Sequence, residues 1–175
     1  MLTGERVRLR ALEPADSEDM WRWYHDDEVG RWMDDAPPIS LAQNIQKGQN
    51  RPLNTFEQMA LGIEALDDGK LIGYVALGDT DFRHGEAIVQ SIAIGDADRR
   101  GGGYGTDALR VICRYAFEEM GLHRLMLWVV ADNAPAIRAY TKVGFVEEGR
   151  RREAFRTRGR RHDFLMMGLL CSELR

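Results

Sequence analysis

The chain has 175 residues, of which 44% are hydrophobic and 30% charged, and its formal net charge at pH 7 is −4. This length predicts one domain, residues 1–175, with a full hydrophobic core. No apolar run approaches the ~20 residues of a membrane span, two cysteines exclude a disulfide framework, and the N-terminus has no signal-peptide core. We therefore expect a cytoplasmic protein with no membrane partner.

The first half of the chain predicts two helices and three strands. Alternation of apolar residues with arginines predicts an edge strand over 6–12. Pro14 and the acidic residues after it predict a helix to about Asp26, with Met20, Trp21 and Tyr24 buried. Ser40 is a suitable cap for a helix to about Asn50. Strands are predicted over 56–65 and 71–78, joined by a turn at 67–70.

Acidic residues gather around one tryptophan after the first helix. Residues 1–80 hold 8 Lys and Arg against 15 Asp and Glu, while residues 81–175 hold 16 against 13. Carboxylates attract a cation, and an aromatic face covers its methylenes. The segment therefore predicts a wall for an amine substrate, with a solvated loop as the alternative. The candidate contacts are Glu28, Trp32, Asp34 and Asp35, together with Glu86 further along the chain.

The stretch 87–108 is the most informative part of the sequence. An apolar run over 87–94, typical of a central strand, is followed by a glycine-rich turn and a helical pattern over 106–120. Glycines let the backbone approach a phosphate, and a helix N-terminus offers unpaired N–H groups with a partial positive charge. We predict that this stretch binds a pyrophosphate.

The rest of the chain continues the alternation of strands and helices. A second buried strand over 125–131 predicts a parallel pair with the strand over 87–94. Asp132 or Asn133 caps a short helix over 134–142, and Gly144 ends it. A strand beginning at Val143 and Phe145, an arginine-rich stretch over 149–162 and a last strand over 164–170 follow.

Two common nucleotide motifs do not fit the glycine turn. A P-loop requires Lys and then Ser or Thr after its last glycine, whereas Thr106 and Asp107 follow Gly105. The turn matches the loose G-x-G-x-x-A dinucleotide fingerprint, but the acidic residue expected about 20 positions later is missing. Too little sequence remains after the turn for a doubly wound sheet.

Two motifs together resemble the GNAT acetyltransferases. Residues 100–105 match the Arg/Gln-x-x-Gly-x-Gly/Ala pyrophosphate loop of that family, and residues 133–145 resemble its Asn-x-x-Ala-x-x-x-Tyr-x-x-x-Gly-Phe signature. The opening at 8–16 and the ending after Glu148 are similar to the branch of ribosomal-protein and spermidine N-acetyltransferases. The resemblance implies an α/β (α+β) fold, with a mixed central sheet of about seven strands flanked by helices.

The resemblance also implies acetyl-CoA as the donor and a primary amine, either a small molecule or a protein N-terminus, as the acceptor. Tyr140 then stands at the position of a general acid that protonates the leaving thiolate. The backbone of the central strand pairs with the pantetheine, Asn133 bonds to it, and the loop binds the pyrophosphate. The implied cofactor-binding residues are Ile92, Ala93, Ile94, Arg100, Gly101, Gly102, Gly103, Tyr104, Gly105, Thr106 and Asn133.

The general base is not evident from the sequence. Glu153 lies where related enzymes place a carboxylate near the acceptor, and Glu86 opens the central strand; Asp34 and Asp35 are further candidates. Single histidines at 84 and 162 predict no metal site. The arginine cluster over 150–161 lacks the aromatic series of a nucleic-acid site, so we expect a solvated hairpin or a patch for an acidic protein.

Two questions stay open from the sequence alone. The resemblance leaves room for a homo-oligomer, with a dimer as the expectation, but no residue establishes one. A non-catalytic acetyl-CoA-binding or scaffold domain is the alternative to an enzyme. Tyr140 and the intact glycine loop argue against that alternative, because a domain without activity needs neither.

Overall fold

The seven strands that the structure describes form one mixed sheet. The computed structural model describes residues 2–33 and 37–175. Every neighbouring pair of strands is antiparallel except β4 and β5, which are parallel as the sequence predicts. In the order β1-β2-β3-β4-β5-β7-β6, the strands are Val7–Ala11, Met59–Ala65, Leu71–Asp81, Glu86–Ile94, Arg124–Val130, Arg160–Leu170 and Val146–Thr157. β1 is an edge strand and β4 is central, and both placements confirm the sequence-based predictions.

Five α-helices accompany the sheet within the described residues, and local capping explains where several begin and end. Ser40 and Gln43 form a reciprocal capping box at the start of one helix, and the Asn133 side chain accepts from the Ala136 N–H at the start of another. Gly144 ends the latter with a φ of 118°. The helices α1 to α5 are Ser17–Tyr24, Asp27–Gly30, Leu41–Gln49, Tyr104–Glu118 and Ala134–Val143.

The prediction for the buried face of the first helix was wrong. Pro14–Asp16 form a separate 3₁₀ turn, so α1 begins at Ser17. Trp23 is buried, whereas Tyr24 is 47% exposed and the other two predicted core residues are only partly buried. Trp23 packs on the end of β4, where a Cβ on Gly95 would come within 2.0 Å of the indole. Only glycine at position 95 leaves room for this ring.

The last two strands extend further than the sequence predicts. β7 begins at Arg160 rather than Phe164, and β6 begins at Val146 rather than before Gly144. The arginine-rich stretch is therefore a hairpin arm of the sheet, as one of the two sequence-based alternatives had it. Phe155 and Thr157 are buried in this arm while the arginines around them are exposed, so the period-2 alternation of a strand is present but masked by charge.

The main core lies between the sheet and α4. Leu109, Ile112, Cys113 and Ala116 of this helix are fully buried against inward-facing residues of the central strands, among them Leu125 and Leu127. Cys113 is a buried free thiol, as predicted. Within residues 2–33 and 37–175, no helix combines the length and apolar composition that crossing a membrane requires.

A buried carboxylate ties the first strand to the start of α4. Asp107 is 6% exposed and accepts three backbone N–H bonds, from Glu5 at 3.2 Å, Arg6 at 2.7 Å and Val7 at 3.1 Å. A Cβ on Gly4 would lie 2.5 Å from this carboxylate, so glycine at position 4 permits the approach. The bond network fixes the chain entering β1 beside the first turn of α4.

We predict that Asp107→Asn lowers the free energy of unfolding by about 2–4 kcal/mol. The carboxylate accepts through two oxygens, whereas an amide accepts through one. Its NH₂ group would face the backbone N–H donors of residues 5–7 and leave buried groups unpaired. Urea denaturation measures the change. Glu118→Gln, on the exposed side of the same helix, is the matched control, and an equal stability of the two variants would contradict the role of Asp107.

Candidate active site in the cleft between β4 and β5

The two central strands separate toward their carboxyl ends. β4 and β5 pair only from Glu86 to Ile88 against Arg124 to Met126. A bulge in β4 opposite Ala76 and Leu77 shifts the register, since Val89 and Ser91 face adjacent residues of β3. Beyond Ile88 the β5-facing edge of β4 has no strand partner, so a cleft opens there with free backbone groups on its wall.

Three residues predicted to contact the pantetheine lie on that wall. They are Ile92, Ala93 and Ile94, at the carboxyl end of β4. All three are partly exposed, although the β4 residues at the paired end of the cleft, Ala87 and Val89, are buried. The cleft is therefore accessible where the strands diverge.

The glycine loop closes the open end of the cleft. Gly101 and Gly103 have φ values of 75° and 86°, which L side chains rarely adopt. Gly103 caps α4, so the N–H groups of the residues that open the helix have no partner within it. A Cβ on Gly101 would meet no atom within 4 Å. The loop thus presents accessible N–H donors and the positive end of a 15-residue helix dipole.

The two arginines at the loop entrance are bound to carboxylates. Arg100 donates to the carbonyls of Ile94 at 3.1 Å and Gly95 at 2.6 Å, and pairs with Asp26 at 3.2 Å and Glu28 at 2.8 Å. Its side chain braces the end of β4 against α2, and its contact with CoA stays a prediction.

Arg99 pairs with carboxylates on a different element, the turn between β2 and β3. Its guanidinium pairs with Asp67 at 2.5 Å and Asp68 at 2.6 Å in the turn between β2 and β3, and donates to the Tyr104 hydroxyl at 2.7 Å. The guanidinium also lies 5.4 Å from the centre of the Tyr104 ring. The Tyr104 side chain thus helps to hold Arg99. Gly102 and Gly105 can offer a ligand only backbone groups, and Thr106 adds a hydroxyl.

Tyr140 lies on α5, packed against the core on the α4 side of the sheet. Its ring is half-buried beside Phe145, and its hydroxyl has no hydrogen bond within the described residues. Burial raises the pKa of Tyr140 to about 12, so the phenol keeps its proton at neutral pH. Asn133, at the start of the same helix, uses its side-chain oxygen as the cap and keeps its amide N–H₂ group for another partner.

Hydrogen bonds through Asp163 link the backbone of Glu153, in β6, to the residue that follows β5. The Asp163 carboxylate accepts from the Glu153 N–H at 2.9 Å, and the Asp163 carbonyl accepts from the Ala131 N–H at 2.9 Å. Glu153 has a φ of 50° at a bulge of β6, and with Arg152 and Asp163 it lines an open cavity of ≈ 730 Å³. The Glu153 N–H and Arg150 lower the pKa of Asp163 below its usual value, so this carboxylate is charged.

The acidic segment forms a bridge between the loop and the β6–β7 hairpin. Glu28 pairs with Arg100, as described above, and Asp27 accepts from Arg158 at the hairpin tip at 2.7 Å. Trp32 is half-buried, with the guanidinium of Arg31 5.8 Å from its centre. Asp34 and Asp35, the other two predicted contacts, lie outside the described residues.

The structure does not bring Glu86 together with these groups. Glu86 stands at the paired end of β4, where it lies 3.7 Å from Arg124, eight residues before Ile94. An extended strand rises about 3.3 Å per residue, so Glu86 is roughly 26 Å from the loop end of the strand. His84 and His162 each pair with one aspartate, Asp81 and Asp132 respectively.

Sequence reasoning overlooked Trp128. Its neighbours Leu127 and Val129 are buried on the α4 side, so Trp128 faces the opposite side of the sheet, half-buried, with the Arg151 guanidinium 5.3 Å from its ring centre. The alternation of buried and partly exposed residues along β5 is the signal that would have identified it. The tryptophan adds an aromatic surface to the second face of the cleft.

Comparisons with known proteins agree with this geometry. A model of the acetyltransferase (GNAT) domain matches residues 6–146. The chain is 29% identical to a putative ribosomal N-acetyltransferase, YdaF, of Bacillus subtilis, over 97% of this chain and 94% of the relative. It is 27% identical to a spermidine N(1)-acetyltransferase of Vibrio cholerae, over 97% and 96% of the two chains.

Solved structures share the fold over almost the whole chain. The crystal structure of spermidine N-acetyltransferase from Vibrio cholerae in complex with CoA and spermine superimposes with a TM-score of 0.83, at 26% identity, over 95% of this chain and 96% of the other. The seven-stranded mixed sheet flanked by helices is thus a fold that occurs with bound CoA.

We predict that Arg100→Gln releases α2 from the end of β4. Loss of two ion pairs at a guanidinium that is only 22% exposed removes about 1–2 kcal/mol of local stability, which raises amide exchange over 27–33 about tenfold. Arg99→Gln is the matched control, because its two carboxylates lie in the turn at 67–68 instead. Equal exchange over 27–33 in the two variants would show that Arg100 does not hold α2.

Proposed function

Because this chain belongs to the GNAT acetyltransferase family, we propose that it transfers the acetyl group of acetyl-CoA to a primary amine by direct attack on the thioester. The observation that carries the proposal is the cleft between β4 and β5, which ends at a glycine loop with accessible N–H donors. A C–N bond forms as the C–S bond breaks, one proton leaves the amine, and the CoA sulfur gains one.

The residues of the cleft fit CoA. The unpaired edge of β4 near Ile92 and Ile94 offers backbone groups to the amides of pantetheine, and an N–H there polarises the thioester carbonyl. Two glycines with positive φ and open space at Gly101 leave room for a diphosphate above the first turn of α4. The free amide group of Asn133 is available to the pantetheine from the other side of the cleft.

Tyr140 is proposed as the proton donor to the leaving sulfur. Its phenol is protonated because burial holds its pKa at about 12, and its hydroxyl is free to donate. A thiol has a pKa of about 8.5, so complete transfer from such a phenol to a free thiolate is uphill. The phenol therefore donates a strong hydrogen bond while negative charge develops on sulfur, and its proton passes to the sulfur as a proton from bulk water moves onto the phenol oxygen.

Glu153 is proposed as the proton acceptor for the amine, through a water molecule. An alkyl ammonium with a pKa of about 10.4 is neutral in only about one molecule in 2,500 at pH 7, so attack requires deprotonation. Glu153 is exposed in β6, and its backbone N–H donates to the Asp163 carboxylate, whose residue also bonds to Ala131 after β5. The two carboxylate oxygens of Asp163 already accept from the Glu153 N–H and from Arg150.

The acceptor is proposed to be a cationic amine that enters beside the acidic segment. Asp27 and Glu28 are 91% and 74% exposed at their side chains, each with one arginine partner, and Trp32 offers an aromatic surface next to them. Relatives named as spermidine acetyltransferases support a polyamine, and a relative named as a ribosomal acetyltransferase supports a protein N-terminus. Asp34 and Asp35 remain predicted contacts of the same acceptor.

A panel of amines tests the proposal. The purified protein is incubated with acetyl-CoA and, separately, spermidine, an aminoglycoside, and peptides beginning with Ser or Ala, and free CoA thiol is recorded against time. We expect release of thiol with at least one amine. Tight CoA binding without turnover on any of them would instead favour the non-catalytic binding domain.

We predict that Tyr140→Phe lowers kcat about 10²-fold and leaves the Kd for CoA unchanged, because it removes only the hydroxyl. Tyr115→Phe, on the half-buried side of α4, is the matched control and keeps full activity. The wild-type enzyme shows no alkaline loss of rate from this group between pH 7 and 10, since a phenol with a pKa of about 12 is still protonated there. Equal kcat in both variants would remove Tyr140 from the reaction.

A further inference from the structure

The proposed diphosphate site lacks a cation from its own motif. The CoA diphosphate carries about two negative charges, and backbone N–H groups with a helix dipole of about half a charge only partly offset them. Arg99 and Arg100 stand at the loop entrance, but the positive charge of each is already paired with two carboxylates. Either arginine would have to abandon those partners to reach a phosphate.

A third arginine, Arg6, stands beside the loop. A Cβ built on Gly103 would lie 3.6 Å from Nε and 3.8 Å from Cδ of Arg6. Arg6 is exposed, and its guanidinium forms no hydrogen bond or ion pair within residues 2–33 and 37–175. Gly103 is the residue that caps α4, so this guanidinium lies next to the free N–H groups of the first helical turn.

Hydrogen bonds to Asp107 fix the backbone position of Arg6. Its own N–H donates to the buried Asp107 carboxylate at 2.7 Å, and the N–H groups on either side of it bond to the same carboxylate. Asp107 belongs to the first turn of α4. The residues that lead into β1, Arg6 among them, and the helix that offers the N–H groups are therefore held in fixed relative positions, with the Arg6 side chain next to Gly103 of the loop.

We propose that Arg6 binds the diphosphate of CoA and supplies the positive charge that the loop's own arginines do not. This inference rests on the proposed function, since it assigns a residue to the same cofactor. A guanidinium suits the task because its planar N–H groups pair with two phosphate oxygens at once. The loop would then bind the diphosphate from one side and Arg6 from the other.

Calorimetric titration of Arg6→Gln with CoA and with dephospho-CoA, which retains the diphosphate and lacks the 3′-phosphate, tests the inference. Arg83→Gln is the matched control, because Arg83 is an exposed arginine in the turn between β3 and β4, at the opposite end of β4, and its loss changes net charge equally. Arg6→Lys retains the charge without the planar fork.

We expect Arg6→Gln to weaken both ligands by the same factor, about tenfold or more, with an unchanged Tm in the absence of ligand. Arg6→Lys should fall between this variant and the wild type, and the salt dependence of the Kd should become shallower in Arg6→Gln. Arg83→Gln should match the wild type.

Two results would overturn the inference. One is an Arg6→Gln affinity equal to that of Arg83→Gln, and the other is a loss confined to CoA, which would place the contact at the 3′-phosphate. Both leave the proposed function intact as long as the wild type binds CoA. Failure of the wild-type protein to bind either ligand would instead refute the proposed function, and the assignment of Arg6 with it.

Discussion

The divergence of β4 and β5 after three paired residues is the constraint on which the rest of this structure depends. A parallel pair that stayed together to its end would bury its backbone groups in hydrogen bonds and leave no space between the strands. The bulge in β4 ends the pairing, and the sheet tolerates the gap because α4 and the remaining strands close the core beneath it. The cleft is thus a product of sheet geometry rather than of loops placed on a finished fold.

The arginines before the glycine loop hold neighbouring elements in place through ion pairs. Adjacent arginines point to opposite sides, one to the β2–β3 turn and the other to α2, and each is fixed by two carboxylates. The start of the glycine loop, which follows these two arginines, is thus held from two sides. Such a site loses little freedom when an anion binds, and this favours affinity.

Local signals made much of the site predictable. The glycine turn, the cap at Asn133 and the tyrosine seven residues later are contiguous patterns, and the structure has a loop and a helix at those places. Long-range pairing was not predictable, because Arg100 and its partners are 72 and 74 residues apart. The buried face of α1 was misjudged: successive residues of a helix lie about 100° apart, and the buried aromatic residue is Trp23 rather than its neighbour Tyr24.

The contact between Trp23 and Gly95 links two regions that a protein engineer would treat as separate. The indole occupies the volume of a missing Cβ at the residue that joins β4 to the glycine loop. Randomising α1 would therefore also disturb the end of β4 and the start of the glycine loop. Libraries built on this scaffold should keep the tryptophan–glycine pair constant and vary only the outward-facing residues of the helix.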